Sequence, residues 1–143
     1  MRRIAIELEG VVAVARLFDD KAPLTCQALW DVLPIHDRTI HVTWSGAAWR
    51  TENNYQLRPP DAPRENLVTS ELHPGDVLFH ANFAIPNLKI AFPYGTSQWL
   101  GPFGKIFPVD LIGKIEENLD PFVAVCEKIL SEGPKDVVIR RVS

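Results

Sequence analysis

The sequence is poor in the residues that staple, anchor or metallate a small protein. Cysteine occurs twice in 143 residues, at Cys26 and Cys126, which gives no disulfide framework and no metal-ligand spacing. The four histidines, His36, His41, His73 and His80, form neither H-x-H nor H-E-x-x-H, so no metal site is expected. No apolar run approaches the roughly 20 residues that a membrane helix needs, and no membrane partner is expected. A net charge of −3 gives a nucleic-acid partner no electrostatic support. Ser45 lacks the G-x-S-x-G elbow of an activated nucleophile. The Gly101-Pro102-Phe103-Gly104 stretch lacks the pattern of a phosphate-binding loop. No cofactor is expected.

What the chain does have is apolar residues, 46% of the total, enough for one globular domain over residues 1–143. Glu7 and Glu9 place charge where a signal peptide would be apolar, so a cytoplasmic location is expected. Ile4, Ile6 and Leu8 alternate with charged neighbours and turn at Gly10 into a Val-rich strand over 11–18, an opening hairpin. Asp19 and Asp20 break that strand, and Pro23 suits the first turn of a helix. Cys26, Leu29, Trp30 and Leu33 recur at helical spacing until Pro34. Phe122, Val123, Cys126, Ile129 and Leu130 mark a second helix over 119–132, followed by a strand over 137–142. Both cysteines lie on apolar helix stripes, where free Cys behaves as a small hydrophobe.

Between the helices the pattern is of short strands. In 39–44, Ile40, Val42 and Trp44 share one face and His41, Thr43 and Ser45 the other; the apolar set is expected to face the packed interior. Residues 52–66 carry three prolines and no sustained periodicity, and read as a surface loop. Residues 77–80 form a strand with His80 in phase with Leu78. Leu88, Ile90 and Phe92 share one face of the next, with Lys89 and Ala91 on the other. The stretch 95–104 reads as a glycine-bounded aromatic loop holding Trp99 and Phe103. Many short strands with a helix near each end suit a closed, mainly antiparallel β-barrel with two capping helices.

Several of these stretches resemble a known family. Pro23-Leu24-Thr25 after an acidic corner, Asn118-Leu119-Asp120 opening a helix, and Lys135-Asp136-Val137-Val138-Ile139 as a closing strand resemble cyclophilin-type proteins. Trp44-Ser45-Gly46, Pro74-Gly75-Asp76, Tyr94-Gly95 and the 101–107 stretch resemble, more specifically, a family of small, uncharacterised bacterial cyclophilin-like proteins. That family in turn resembles, distantly, the opine-forming enzyme cucumopine synthase. The resemblance implies a cyclophilin-like barrel. Through cucumopine synthase it implies imine formation between an amine and a keto acid, with ring closure. It does not carry prolyl isomerase activity, because Ile35-His36-Asp37-Arg38 lacks the aromatic of a Phe-His-Arg context and no Gln-Gly-Gly occurs.

The candidate site follows from residue chemistry. His41, His80 and Tyr94 are the candidate acid/base groups. Trp44, Ser45, Trp49, Trp99 and Phe103 are candidate walls of a small-molecule pocket, with Arg50 and Lys105 as carboxylate anchors. His41, with His80 or Tyr94, is expected to share one cleft under the segment that holds Trp99 and Phe103, with Arg50 or Lys105 at its edge and His41 as base. A non-catalytic ligand-binding or assembly module is the competing reading, and a peptidyl-prolyl isomerase, on the scaffold alone, the third. Exposed aromatics and the 52–66 loop point to a homo-oligomer.

Overall fold

Glu9 and Gly10 both have positive φ, 48° and 79°, which lets a two-residue turn follow the twist of its strands. They join β1 (Arg3–Leu8) to β2 (Val11–Leu17) in the expected hairpin. The computed structural model describes residues 2–69, 71–100 and 105–142. Pro23 opens α1 (Pro23–Val32), whose N-terminal amides are capped from a distance. The Glu65 carboxylate accepts from Leu24 N at 3.1 Å and Thr25 N at 2.7 Å. The chain continues through β3 (Ile35–His41), β4 (Gly46–Thr51), β5 (Leu67–Val68), β6 (Asp76–Asn82), β7 (Asn87–Ser97) and β8 (Val109–Glu117). Helices α2 (Leu119–Cys126) and α3 (Ile129–Glu132) lead to β9 (Asp136–Arg141).

All the strand pairings are antiparallel, and β2 pairs with both β1 and β8. The order β2-β1-β9-β3-β4-β7-β6-β8 therefore closes on itself as an eight-stranded barrel, with β5 added on β8. Inside it, Trp49, Phe79 and Phe92 pack with Cys26 and Leu29 of α1 and Phe122 and Cys126 of α2. A second apolar cluster, including Leu78, Ala91, Trp99 and Val109, lies on the outer face of β4, β6, β7 and β8. Both cysteines are free and buried. No helix among the described residues is long and apolar enough to cross a membrane.

Four local expectations are corrected. The helix over 119–132 is two helices: Lys128 N donates to Val125 O, three residues back, and tightens the chain after Cys126. The strand through 39–44 stops at His41, and residues 43–45 form one turn of 3-10 helix. β7 runs on through Gly95 to Ser97, because the barrel edge of β4 pairs with it as far as Gly46↔Ser97. The 52–66 segment is not wholly at the surface: Leu57 and Arg58 are buried.

Gly46 follows the 3-10 turn with φ 102°, and a Cβ there would stand 2.9 Å from Thr96 O. Gly46→Ala is therefore expected to destabilise the fold by roughly 1–3 kcal/mol, read as a lower thermal midpoint.

Candidate functional site

Directly paired residues on neighbouring strands share a face of the sheet. His41 pairs with Trp49, and Trp49 with Phe92; both rings belong to the inner core. His80 pairs with Lys89, while Leu78, two residues away on the same face, pairs with Ala91. Ala91 pairs in turn with Arg50, and Leu78 and Ala91 belong to the outer cluster. The sheet therefore stands between the two histidines. Tyr94, in phase with Phe92, falls on the inner side with His41. The single cleft expected from the sequence is two separate sites.

On the outer side, the His80 imidazole is enclosed by aromatic rings. Trp99 lies 5.3 Å away between centroids, tilted by 42°, and Phe107 lies 5.9 Å away, edge-on at 81°. His80 is 5% exposed, and its Nδ1 has no hydrogen-bond partner among the described residues. Burial, and then the positive charges of Arg64, Arg50 and Lys89, push its pKa down to about 4, so the ring is neutral at physiological pH. A buried polar atom without a partner costs about 1–3 kcal/mol. Such atoms are uncommon in native folds, and each calls for an explanation.

The surrounding charge is lopsided. Burial lowers the pKa of Arg50, and burial with the neighbouring Arg50 lowers that of Lys89. Lys89 donates to Glu52 O at 2.5 Å, Arg50 to Thr51 O at 2.9 Å and Arg64 to Pro108 O at 3.0 Å. These acceptors are neutral carbonyls, so the cationic charge is not cancelled by them. Two carboxylates act against this charge, Glu52 ahead of Asp37 at Arg50 and Asp37 ahead of Glu52 at Lys89; Asp37 is already engaged. Burial pushes it up, but hydrogen bonds from Tyr55 Oη and the amides of Arg38, Asn53 and Glu52 outweigh that and hold it below its ordinary value. The arrangement favours a small anion beside a neutral imidazole.

On the inner side, His41 Nε2 lies 2.5 Å from Tyr94 Oη. Burial lowers the His41 pKa and raises that of Tyr94, so both groups are neutral. With the ring proton on Nδ1, the phenol donates to Nε2. His41 Nδ1 is likewise buried without a partner among the described residues.

The remaining sequence candidates divide by location. Trp49 is fully buried, stacked on Phe92 at 4.5 Å, with Nε1 donating to Cys126 Sγ at 3.2 Å. Ser45 Oγ accepts from Leu100 N at 3.0 Å and anchors the start of the segment that carries Trp99. Lys105 is exposed. Phe103 and the Trp44 side chain lie outside the described residues. Sequence reasoning missed Phe107, whose ring meets His80, and Arg64, which acts on it through its charge. Lys89 had a signal, a charge within an otherwise apolar strand. Among the described residues, no group of three or more His, Cys, Asp or Glu side chains is placed to hold a metal ion.

Residues 4–140 match the model of DUF3830, a protein family of unknown function. The chain belongs to the DUF3830 family. No curated protein matches it. The DUF3830 chain is similar in fold to McbB, solved in complex with tryptophan, with a TM-score of 0.70 and 21% identity over 96% of its own length. It spans 44% of the McbB chain. It is also similar to a hypothetical protein from Archaeoglobus fulgidus, solved in solution, with a TM-score of 0.61, 21% identity, and 99% and 95% of the two chains covered. The closed barrel with helices over its ends fits the cyclophilin-like expectation.

Proposed function

We propose that this chain binds a small carboxylate-bearing molecule on the outer face of β4, β7 and β6 and moves a proton on it, with His80 as base. The observation that carries the reading is the buried, neutral imidazole of His80, whose Nδ1 has no hydrogen-bond partner among the described residues, in the field of three cations and against two aromatic rings. Arg50 and Lys89 hold the carboxylate, and the rings favour a planar or apolar substituent. Of the two rings, Phe107 is the more exposed, so entry is expected on its side.

The chemistry that suits these groups is condensation of an amine with a keto acid. The amine nitrogen adds to the keto carbon and gives up a proton to His80. His80 passes that proton to the alkoxide oxygen, giving the carbinolamine; the second N–H proton then travels the same way, and the oxygen, now carrying both, leaves as water to form the neutral imine. No electrons are exchanged with a redox partner, and the imidazole ends as it began. The likeness in fold to a tryptophan-bound protein agrees with an amino-acid-sized ligand.

Calorimetry and thermal shift with pyruvate and L-tryptophan test this, since a ligand of the native state raises its midpoint. Arg50→Gln is expected to weaken pyruvate binding by about 10-fold or more, the worth of a charge-assisted hydrogen bond. His80→Gln is expected to abolish turnover with little change in stability. Pyruvate binding that ignores both substitutions would refute the assignment.

A further inference from the structure

A depression lies on the barrel where the 3-10 turn and Gly46 meet the end of β7. It has a volume of about 500 Å³, within the range of small-molecule sites. Its polar wall is made of Thr43, Ser45, Glu71, Thr96, Ser97 and Gln98. Ser97 is 4% exposed, and its Oγ is buried with no hydrogen-bond partner among the described residues. Glu71 is exposed and is the one charged residue of the lining among the described residues. Ser45 Oγ already accepts from Leu100 N, which leaves Ser97 as the buried hydroxyl without a task. Gly46 permits this shape, because a side chain there would meet Thr96 O at 2.9 Å.

We infer that this depression is a binding site for a primary ammonium group. The lining is rich in oxygen acceptors and carries one negative charge, the complement of the cationic surroundings of His80. Three N–H donors of an alkylammonium match the Glu71 carboxylate, the Ser97 hydroxyl and a neighbouring threonine hydroxyl. A carboxylate ligand would face Glu71 and be repelled. A neutral alcohol would satisfy Ser97 and gain nothing from Glu71. The inference stands on Ser97 and Glu71 and does not require His80 to be a base.

The test is an NMR titration of the 15N-labelled full chain with three probes of similar size: n-propylammonium, propionate and 1-propanol. Propylammonium is expected to give saturable shifts at the amides of Gly46, Ser97 and Gln98, and the other two are not. Glu71→Gln, at an exposed position that leaves folding intact, should weaken propylammonium by about 10-fold or more. Ser97→Ala should weaken it further only in the presence of Glu71. His80→Gln should leave it unchanged, which separates this site from the carboxylate reading. Equal shifts from all three probes, no saturation, or an affinity indifferent to Glu71→Gln would each overturn the inference.

Discussion

Replacing Arg58 by methionine should destabilise the protein by roughly 3–5 kcal/mol, because it leaves a buried carboxylate without its counter-charge. Arg58 Nε meets Asp110 Oδ2 at 3.1 Å, and both side chains are almost wholly removed from solvent. The guanidinium also lies over Phe79 and Phe83, 5.8 and 5.3 Å from their centroids. Methionine keeps the stem and removes the charge. Burial raises the Asp110 pKa, and Arg58 pulls it partly back. Without Arg58 the rise is larger. A raised carboxyl pKa contributes stability while the group is protonated, and that contribution is lost as pH rises through the folded-state value. The deficit of Arg58→Met relative to wild type should therefore narrow as pH falls from 7 toward 5. Arg58→Met combined with Asp110→Leu should cost less than Arg58→Met alone. Urea unfolding at several pH values reads all three; a single variant within about 1 kcal/mol of wild type would contradict the pairing.

Trp49→Ala should cost a similar roughly 3–5 kcal/mol, as expected for truncating a buried aromatic. The indole stacks on Phe92, lies 6.4 Å from Phe122 and donates to Cys126 Sγ. The Cys126 thiol, pushed up to about 12 chiefly by burial, stays protonated. Trp49→Phe keeps most of the packing and should lose about 1 kcal/mol for the hydrogen bond. Neither change should alter pyruvate affinity once the protein is folded. A selective loss of binding without loss of stability would return Trp49 to the ligand site.

The contrast between Trp49 and His80 shows what local sequence carries. The opening hairpin, α1 and the closing strand were legible because each rests on neighbours: a turn at Gly10, Pro23 at a helix start, and an apolar run from Val137. The face of β3 was not. Ile40, Val42 and Trp44 alternate like an inward set, yet Ile40 pairs with outward Arg50 while His41 pairs with inward Trp49, so the alternation runs in the opposite phase. Val42 accordingly packs in the outer cluster. Asp37 and Thr39 point inward although polar, because partners elsewhere satisfy them: Tyr55 for the first and the Lys135 amide for the second. Long-range partners were equally invisible. Arg58 and Asp110 are 52 positions apart, and Glu65 caps a helix that begins more than 40 residues earlier. Which histidine faced the aromatic segment depended on pairing register, and a single sequence does not print it.

His80 gives the most direct test of an anion-binding, proton-accepting site. In the free protein its imidazole, followed by NMR of the ring Cε1–H, should titrate near 4. Its folded pKa lies below the ordinary value of about 6.5. It therefore contributes stability above that pH, and this is lost as pH falls toward 4. An anion bound beside the ring favours the imidazolium, so saturating pyruvate should move the titration upward, and Arg50→Gln should diminish the movement. The contradicting result is a His80 resonance that titrates at its ordinary value, or one that pyruvate leaves where it was while binding is seen by calorimetry.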